Sequence, residues 1–113
     1  SSQGGITLEE AKRIMPLYPA EVSIEVKGNE VSVKWPGTGE GGSEYLICRR
    51  TPDSNDWKVV GVEKVAGDNR SDYRFEDNSF KSNNLYIYGI RFVDIFENYS
   101  QITESNYVII PQE

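Results

Sequence analysis

Between Phe80 and Asp94 the chain reads Phe-Lys-Ser-Asn-Asn-Leu-Tyr-Ile-Tyr-Gly-Ile-Arg-Phe-Val-Asp. An apolar anchor is followed six residues later by Tyr86, and from there Tyr88, Ile90 and Phe92 recur at every second position. A helix would bring residues three and four apart onto one face. A period of two belongs instead to a strand with one face in a core and one face outward. Ser82, Asn83 and Asn84 mark the segment before it as a turn. A tyrosine that opens a strand straight after such a turn is placed to bury its ring while its hydroxyl bonds backbone. That is the tyrosine corner of β-sandwiches.

From Pro19 onward the rest of the chain keeps the same rhythm, with strand-like runs separated by turn residues every eight to twelve positions. Residues 21–26 and 30–35 flank Lys27-Gly28-Asn29, a hairpin signal, and Val31, Val33 and Trp35 share one face of the second run. Residues 36–43 hold four glycines and read as a loop. The third strand spans 45–50, with Tyr45, Ile47 and Arg49 on one side and Leu46, Cys48 and Arg50 on the other. A turn over 51–56 leads to a fourth strand over 57–65. A polar loop, a fifth strand over 73–77, the sixth strand and a loop over 95–100 follow. The seventh strand, over 101–110, ends at Pro111. Upstream, Thr7-Leu-Glu-Glu10 is a capping box, and Leu8, Ala11, Ile14 and Met15 repeat at helical spacing before Pro16. The expected organisation is a linker and short helix over 1–18 and one domain over 19–113.

Composition narrows the chemistry. A net charge of −6 with a pI near 4.7 opposes phosphate binding, and Arg49, Arg50 and Arg91 read as a solvated strand face. The chain has no histidine, so the usual general base and the commonest metal ligand are both missing. Cys48 is the single cysteine, which excludes an internal disulfide and a thiolate cluster. Glu76 and Asp77 are strand neighbours pointing oppositely, unlike the paired carboxylates of acid–base catalysis. A strand, not a helix N-terminus, follows the glycines of 36–43, so they do not form a phosphate cradle. Asp68, Asp72, Asp94 and Glu97 gather oxygens near one end of a sandwich, with a spacing that matches no EF-hand. Asn69-Arg-Ser71 and Asn98-Tyr-Ser100 fit the glycosylation triplet, a short pattern that arises often by chance. No catalytic residue, cofactor or metal site is expected. No apolar run approaches the ~18 residues of a membrane span.

Taken in order, several pieces resemble the fibronectin type III domain as found in bacterial, archaeal and phage surface proteins. They are Pro19, Val31-x-Val-x-Trp35, Tyr45-x-Ile47-x-Arg-Arg50, Trp57-x-Val-Val60, Phe75-x-Asp77, Phe80-x5-Tyr86 and Asp94-x3-Asn98-x-Ser100. They cover about residues 19 to 110. Phe80 replaces the usual leucine of the corner, and Glu97 stands where the turn commonly has glycine. The resemblance implies an all-β, immunoglobulin-like, seven-stranded antiparallel β-sandwich, with one sheet of three strands and one of four. It also implies binding or spacing and not catalysis, because function must be argued from a site.

Two surfaces are candidates for contact. Ile95, Phe96 and Tyr99 cluster in the loop after the sixth strand, at the same end as the glycine-rich loop; aromatic loop residues suit protein or sugar contact, and the alternative is that Phe96 or Tyr99 folds back to cap the core end. Leu46, Cys48, Ile87, Gly89 and Val93 form an outer apolar sheet face, which the N-terminal helix (through Leu8, Ala11 and Met15) or a partner domain would cover. Trp57, Phe96 and Tyr99 are the aromatics a carbohydrate-binding module would use as stacking platforms. The expected role is an interaction or spacer module of a larger extracellular, cell-surface or virion protein. Its partners would be other domains of the parent chain, another protein or a carbohydrate, with neither nucleic-acid binding nor membrane insertion. An accessory domain beside a polysaccharide-degrading enzyme is the alternative.

Overall fold

The chain first reverses at Gly28, whose φ of 58° lies in the left-handed region that a residue without Cβ occupies freely. This turn joins β1 (Ser23–Lys27) to β2 (Glu30–Pro36), pairing Lys27 with Glu30 and Val26 with Val31. Five strands follow: β3 (Gly42–Arg50), β4 (Lys58–Lys64), β5 (Asp72–Asp77), β6 (Leu85–Asp94) and β7 (Thr103–Ile109). The structure is a computed structural model that describes residues 19, 21–28, 30–37, 42–65, 70–79 and 84–109. The expected N-terminal helix, the Phe80 anchor, Asp68 and Asn69 lie outside the described residues.

The strands form two antiparallel sheets, β1-β2-β5 and β4-β3-β6-β7. Val31, Val33 and Trp35 of β2 face Tyr45 and Ile47 of β3 and Tyr88, Ile90 and Phe92 of β6 across the core. Burying each such side chain contributes about 1.5–3 kcal/mol. Trp57 falls just outside β4, and β7 starts two residues later than the sequence pattern places it.

β6 departs from the expected half-exposed strand. Of residues 86–93 all but Arg91 are buried, those on the outer face included. The reason is position: β6 lies between β3 and β7, and its outer face is covered at Gly89 by Trp57 and Ile102. A Cβ at Gly89 would stand 3.0 Å from Trp57 Cη2 and would collide with Ile102. Glycine is what allows this close approach.

Candidate functional site

One end of the sandwich is filled by rings. Trp35 stacks on Tyr73 with ring centroids 6.0 Å apart, and Tyr45 lies 4.8 Å from both Tyr73 and Phe92. Beyond Phe92 the β6–β7 loop leaves the core, and Asp94 organises it. Asp94 Oδ1 accepts from the backbone N–H groups of Phe96 and Asn98, each at 2.9 Å, and Oδ2 accepts from Asn98 Nδ2 at 3.0 Å. The Glu97 N–H donates to the Asp94 carbonyl, and the Asp94 N–H donates to the Asn98 carbonyl. Glu97 itself sits at φ 65°, which explains why glycine suits this position. The turn closes with Ser100, whose Oγ accepts from the Phe92 N–H at 2.8 Å while its own N–H donates to the Phe92 carbonyl.

This turn holds Ile95 65% exposed and Tyr99 56% exposed, with Phe96 half-buried between them. Asp94 uses its carboxylate to build the turn, and the described residues contain no group of three side chains able to hold a metal ion. The neighbouring glycine-rich loop lies largely outside the described residues.

The other expected contact residues are placed differently. Leu46 is half-buried on the outer face of β3, and Ile87, Cys48 and Val93 on that face are buried. Trp57 is no free platform: the Arg50 guanidinium lies 5.1 Å from its ring centroid, and its edge abuts Gly89. Arg50 in turn donates to the carbonyls of Thr51 and Ser54 at 3.3 and 3.1 Å and to Glu104 Oε1 at 3.4 Å. It therefore already has partners in the 460 Å³ groove that it lines with Ile87, Glu104, Ser105 and Asn106.

The opposite end of the core holds a cluster that the sequence reading did not assemble. Asp77 of β5 is 2% exposed and accepts from Arg49 Nη1 of β3 at 2.7 Å and from Tyr88 Oη of β6 at 2.5 Å. Its other oxygen accepts from the Ser79 N–H at 3.0 Å and from Ser79 Oγ at 2.7 Å. The Arg49 guanidinium also lies 4.5 Å from the centroid of the Tyr86 ring, whose hydroxyl accepts from Asn84 Nδ2 at 3.4 Å.

Arg49 at 8% exposure corrects the reading of the arginines as a solvated face. Arg50 and Arg91 are also partly buried, and Arg91 Nε has no acceptor among the described residues. The signal was present, since Arg49 shares its strand face with Tyr45 and Ile47, and an inward arginine needs an inward acid.

Burial works against ionised Asp77, but donors from Tyr88, Ser79 and Arg49 outweigh it and hold the carboxyl below its usual range. Burial and the adjacent carboxylate push the Tyr88 phenol well up. Burial also opposes charge on Arg49, yet its bond to Asp77 leaves it more firmly protonated. An acid with every partner filled cannot act as a base; this cluster ties β5 to β3 and β6. Burial likewise raises the Cys48 thiol, against the smaller opposing effect of Arg91, so Cys48 is no poised thiolate.

No model of a known protein family matches the chain, and no curated protein does. Solved structures share its fold. A fibronectin type III-like protein from Clostridium thermocellum matches with TM-score 0.56 at 16% identity, covering 84% of this chain and 96% of that one. One chain of a cytokine receptor complex matches with TM-score 0.63 at 15% identity, covering 84% of this chain and 51% of that one. Pectate lyase PelI from Erwinia chrysanthemi, in complex with tetragalacturonic acid, matches with TM-score 0.58 at 17% identity over 79% of this chain. This chain covers 28% of that lyase. The fold is thus a fibronectin type III-like β-sandwich.

Proposed function

We propose that this domain is a non-catalytic interaction or spacer module of a larger secreted, cell-surface or virion protein, and that it makes contact through the β6–β7 loop. The observation that carries the reading is a turn fixed by Asp94 that holds Ile95 and Tyr99 out into solvent. A preordered loop loses little conformational entropy on binding, and exposed Tyr and Ile supply apolar contact area. Of the expected contact residues, Ile95, Tyr99 and the half-buried Phe96 sit together. Leu46 lies on a different face, and Ile87 and Trp57 serve packing.

The test is photo-crosslinking within the full-length parent protein, with p-benzoylphenylalanine in place of Tyr99 and, as a control, of the exposed Glu30. A defined adduct to a neighbouring domain or partner from position 99 but not from position 30 is the expected result. Equal, diffuse labelling from both would sink the loop-end reading.

A second reading, an accessory domain beside a polysaccharide-degrading enzyme, draws support from the lyase in which this fold occupies part of a longer chain. Titrating the labelled chain with tetragalacturonic acid separates the two. Saturable amide shifts confined to residues 94–100, and lost in Tyr99→Ala, would replace the first reading with the second.

A further inference from the structure

The four-stranded sheet ends at β4, which among the described residues pairs with β3 alone. Such an edge presents a row of unpaired N–H and C=O groups. The edges of the other sheet carry polar outward side chains: Ser23, Glu25 and Lys27 on β1, and Asp72, Arg74 and Glu76 on β5. β4 instead exposes Val59 (51%) and Val62 (47%).

These valines are three residues apart, which in a regular strand would put them on opposite faces. The register of β3 and β4 slips so that Ile47 faces Gly61 and Cys48 faces Val59, leaving Val60 as the extra residue of a bulge. Alternation is thereby reset. Val59 and Val62 share the outer face with Cys48 and Leu46, while Lys58 and Glu63 share the inner-facing side with Arg49 and Tyr45.

We propose that a second copy of this chain docks along β4. The two strands run antiparallel about a two-fold axis, with Lys58 opposite Glu63 and Val59 opposite Val62. Both contacts occur twice, as a two-fold requires. In an unbulged strand this register would set inward side chains against outward ones; the bulge makes each facing pair share a face. Charge complementarity supports this docking, since Lys58 and Glu63, of opposite sign and on one face of β4, meet across the dyad. Lys64 and Glu44, 2.8 Å apart, neutralise each other beside the valines, and Glu63 has one oxygen 3.4 Å from Arg70. The two four-stranded sheets become one continuous sheet, and Ile95 and Tyr99 stay outside the contact.

Sedimentation equilibrium of the full chain across a concentration series tests this, with circular dichroism melts to confirm that each variant is folded. The wild type forms a dimer whose population rises with concentration. Lys58→Glu and Glu63→Lys each weaken it by about tenfold, since each turns two attractions into two repulsions. The double variant Lys58→Glu/Glu63→Lys restores it. Residues five apart on one strand do not touch within a monomer, so rescue reports contact across the dyad. Val62→Lys abolishes the dimer, reading the same surface without relying on charge pairing. A wild-type chain that stays monomeric to ~1 mM, where specific dimers of even weak affinity are populated, overturns the proposal. So does a dimer indifferent to both charge reversals, or one that the double variant fails to restore.

Discussion

At one end of the sandwich Trp35, Tyr45, Tyr73 and Phe92 fill the space between the sheets ring against ring; at the other, Arg49, Asp77 and Tyr88 fill it with a buried ion pair and a phenol. The ring end is held by area and dispersion, which are undirected and tolerate small shifts, and it leaves Trp35 Nε1 without an acceptor among the described residues. The ionic end is directional: four donors converge on one carboxylate and fix where β5 sits over β3 and β6. The exposed β6–β7 turn grows from the ring end. The exposed turn is thus supported by the more forgiving packing, while register between the sheets is set at the far end.

The largest effect expected is at the ionic end. Asp77→Ala leaves Arg49 buried without its partner and lowers stability by about 3–5 kcal/mol, measured by urea unfolding. Converting that end to the chemistry of the other, with Arg49→Met/Asp77→Leu/Tyr88→Phe, should recover most of the loss. If the triple variant is as unstable as Asp77→Ala, the two ends are not interchangeable solutions and the ion pair does more than fill space. The two ends also differ in pH response. The Asp77 pKa is depressed in the fold, so its contribution is complete above the unfolded carboxylate value near ~4 and is lost as pH falls through the lower folded value. The stability gap between wild type and Asp77→Asn therefore stays level above about pH 5 and narrows below about pH 4. The raised Tyr88 phenol works in the opposite sense, contributing fully below about pH 10 and losing its contribution as pH rises beyond it. Trp35→Phe at the ring end should show neither limb.

The core face was legible in the sequence because it is periodic. Val31, Val33 and Trp35, and Tyr86 through Phe92, alternate, and alternation alone assigns a face. Seven strands followed from that pattern together with the turn residues, and their division into sheets of three and four followed from the family resemblance. The ionic end was not assembled, because Arg49 and Asp77 are 28 residues apart and nothing local couples them. Trp57 was misread for a related reason. An aromatic beside a turn looks available until the glycine beneath it, 32 positions on in the chain at Gly89, is seen to be its seat. The bulge at Val60 left no local sign either, since three consecutive branched or small apolar residues fit either face. Ile95, Phe96 and Tyr99 were legible as a cluster in a turn that Asp94 and Ser100 define by their chemistry, but which of them points outward was not, since folding back to cap the core end fits the same residues.

An intermediate effect is expected outside the core, on the outer face of β6. Gly89 pairs with Cys48 midway along the sheet, where Trp57 and Ile102 close over β6. Gly89→Ala forces a Cβ into Ile102 and toward Trp57, and overpacking of this kind costs about 1–3 kcal/mol. Because Arg50 rests on the same Trp57 ring, the displaced indole gives red-shifted emission in a Trp35→Phe background. A neutral substitution would mean that the outer cover is loose and that the two ends are held from within alone.

The smallest effect is a gain, and it belongs to the turn carried by the ring end. Glu97 holds φ at 65° with a side chain that favours negative values, a strain of about 1–2 kcal/mol for an L-residue. Glu97→Gly removes that strain and adds freedom to the unfolded chain, so a net stabilisation of about 0.5 kcal/mol is expected in urea unfolding. Because the Asp94 bonds use the backbone of Phe96 and Asn98 and the Asn98 amide, the turn and its exposed Ile95 and Tyr99 are unchanged in the variant. Stability would then rise with no change in crosslinking from position 99. A loss of stability would instead show that the Glu97 side chain holds the turn. The forgiving end would then contain one directional contact of its own.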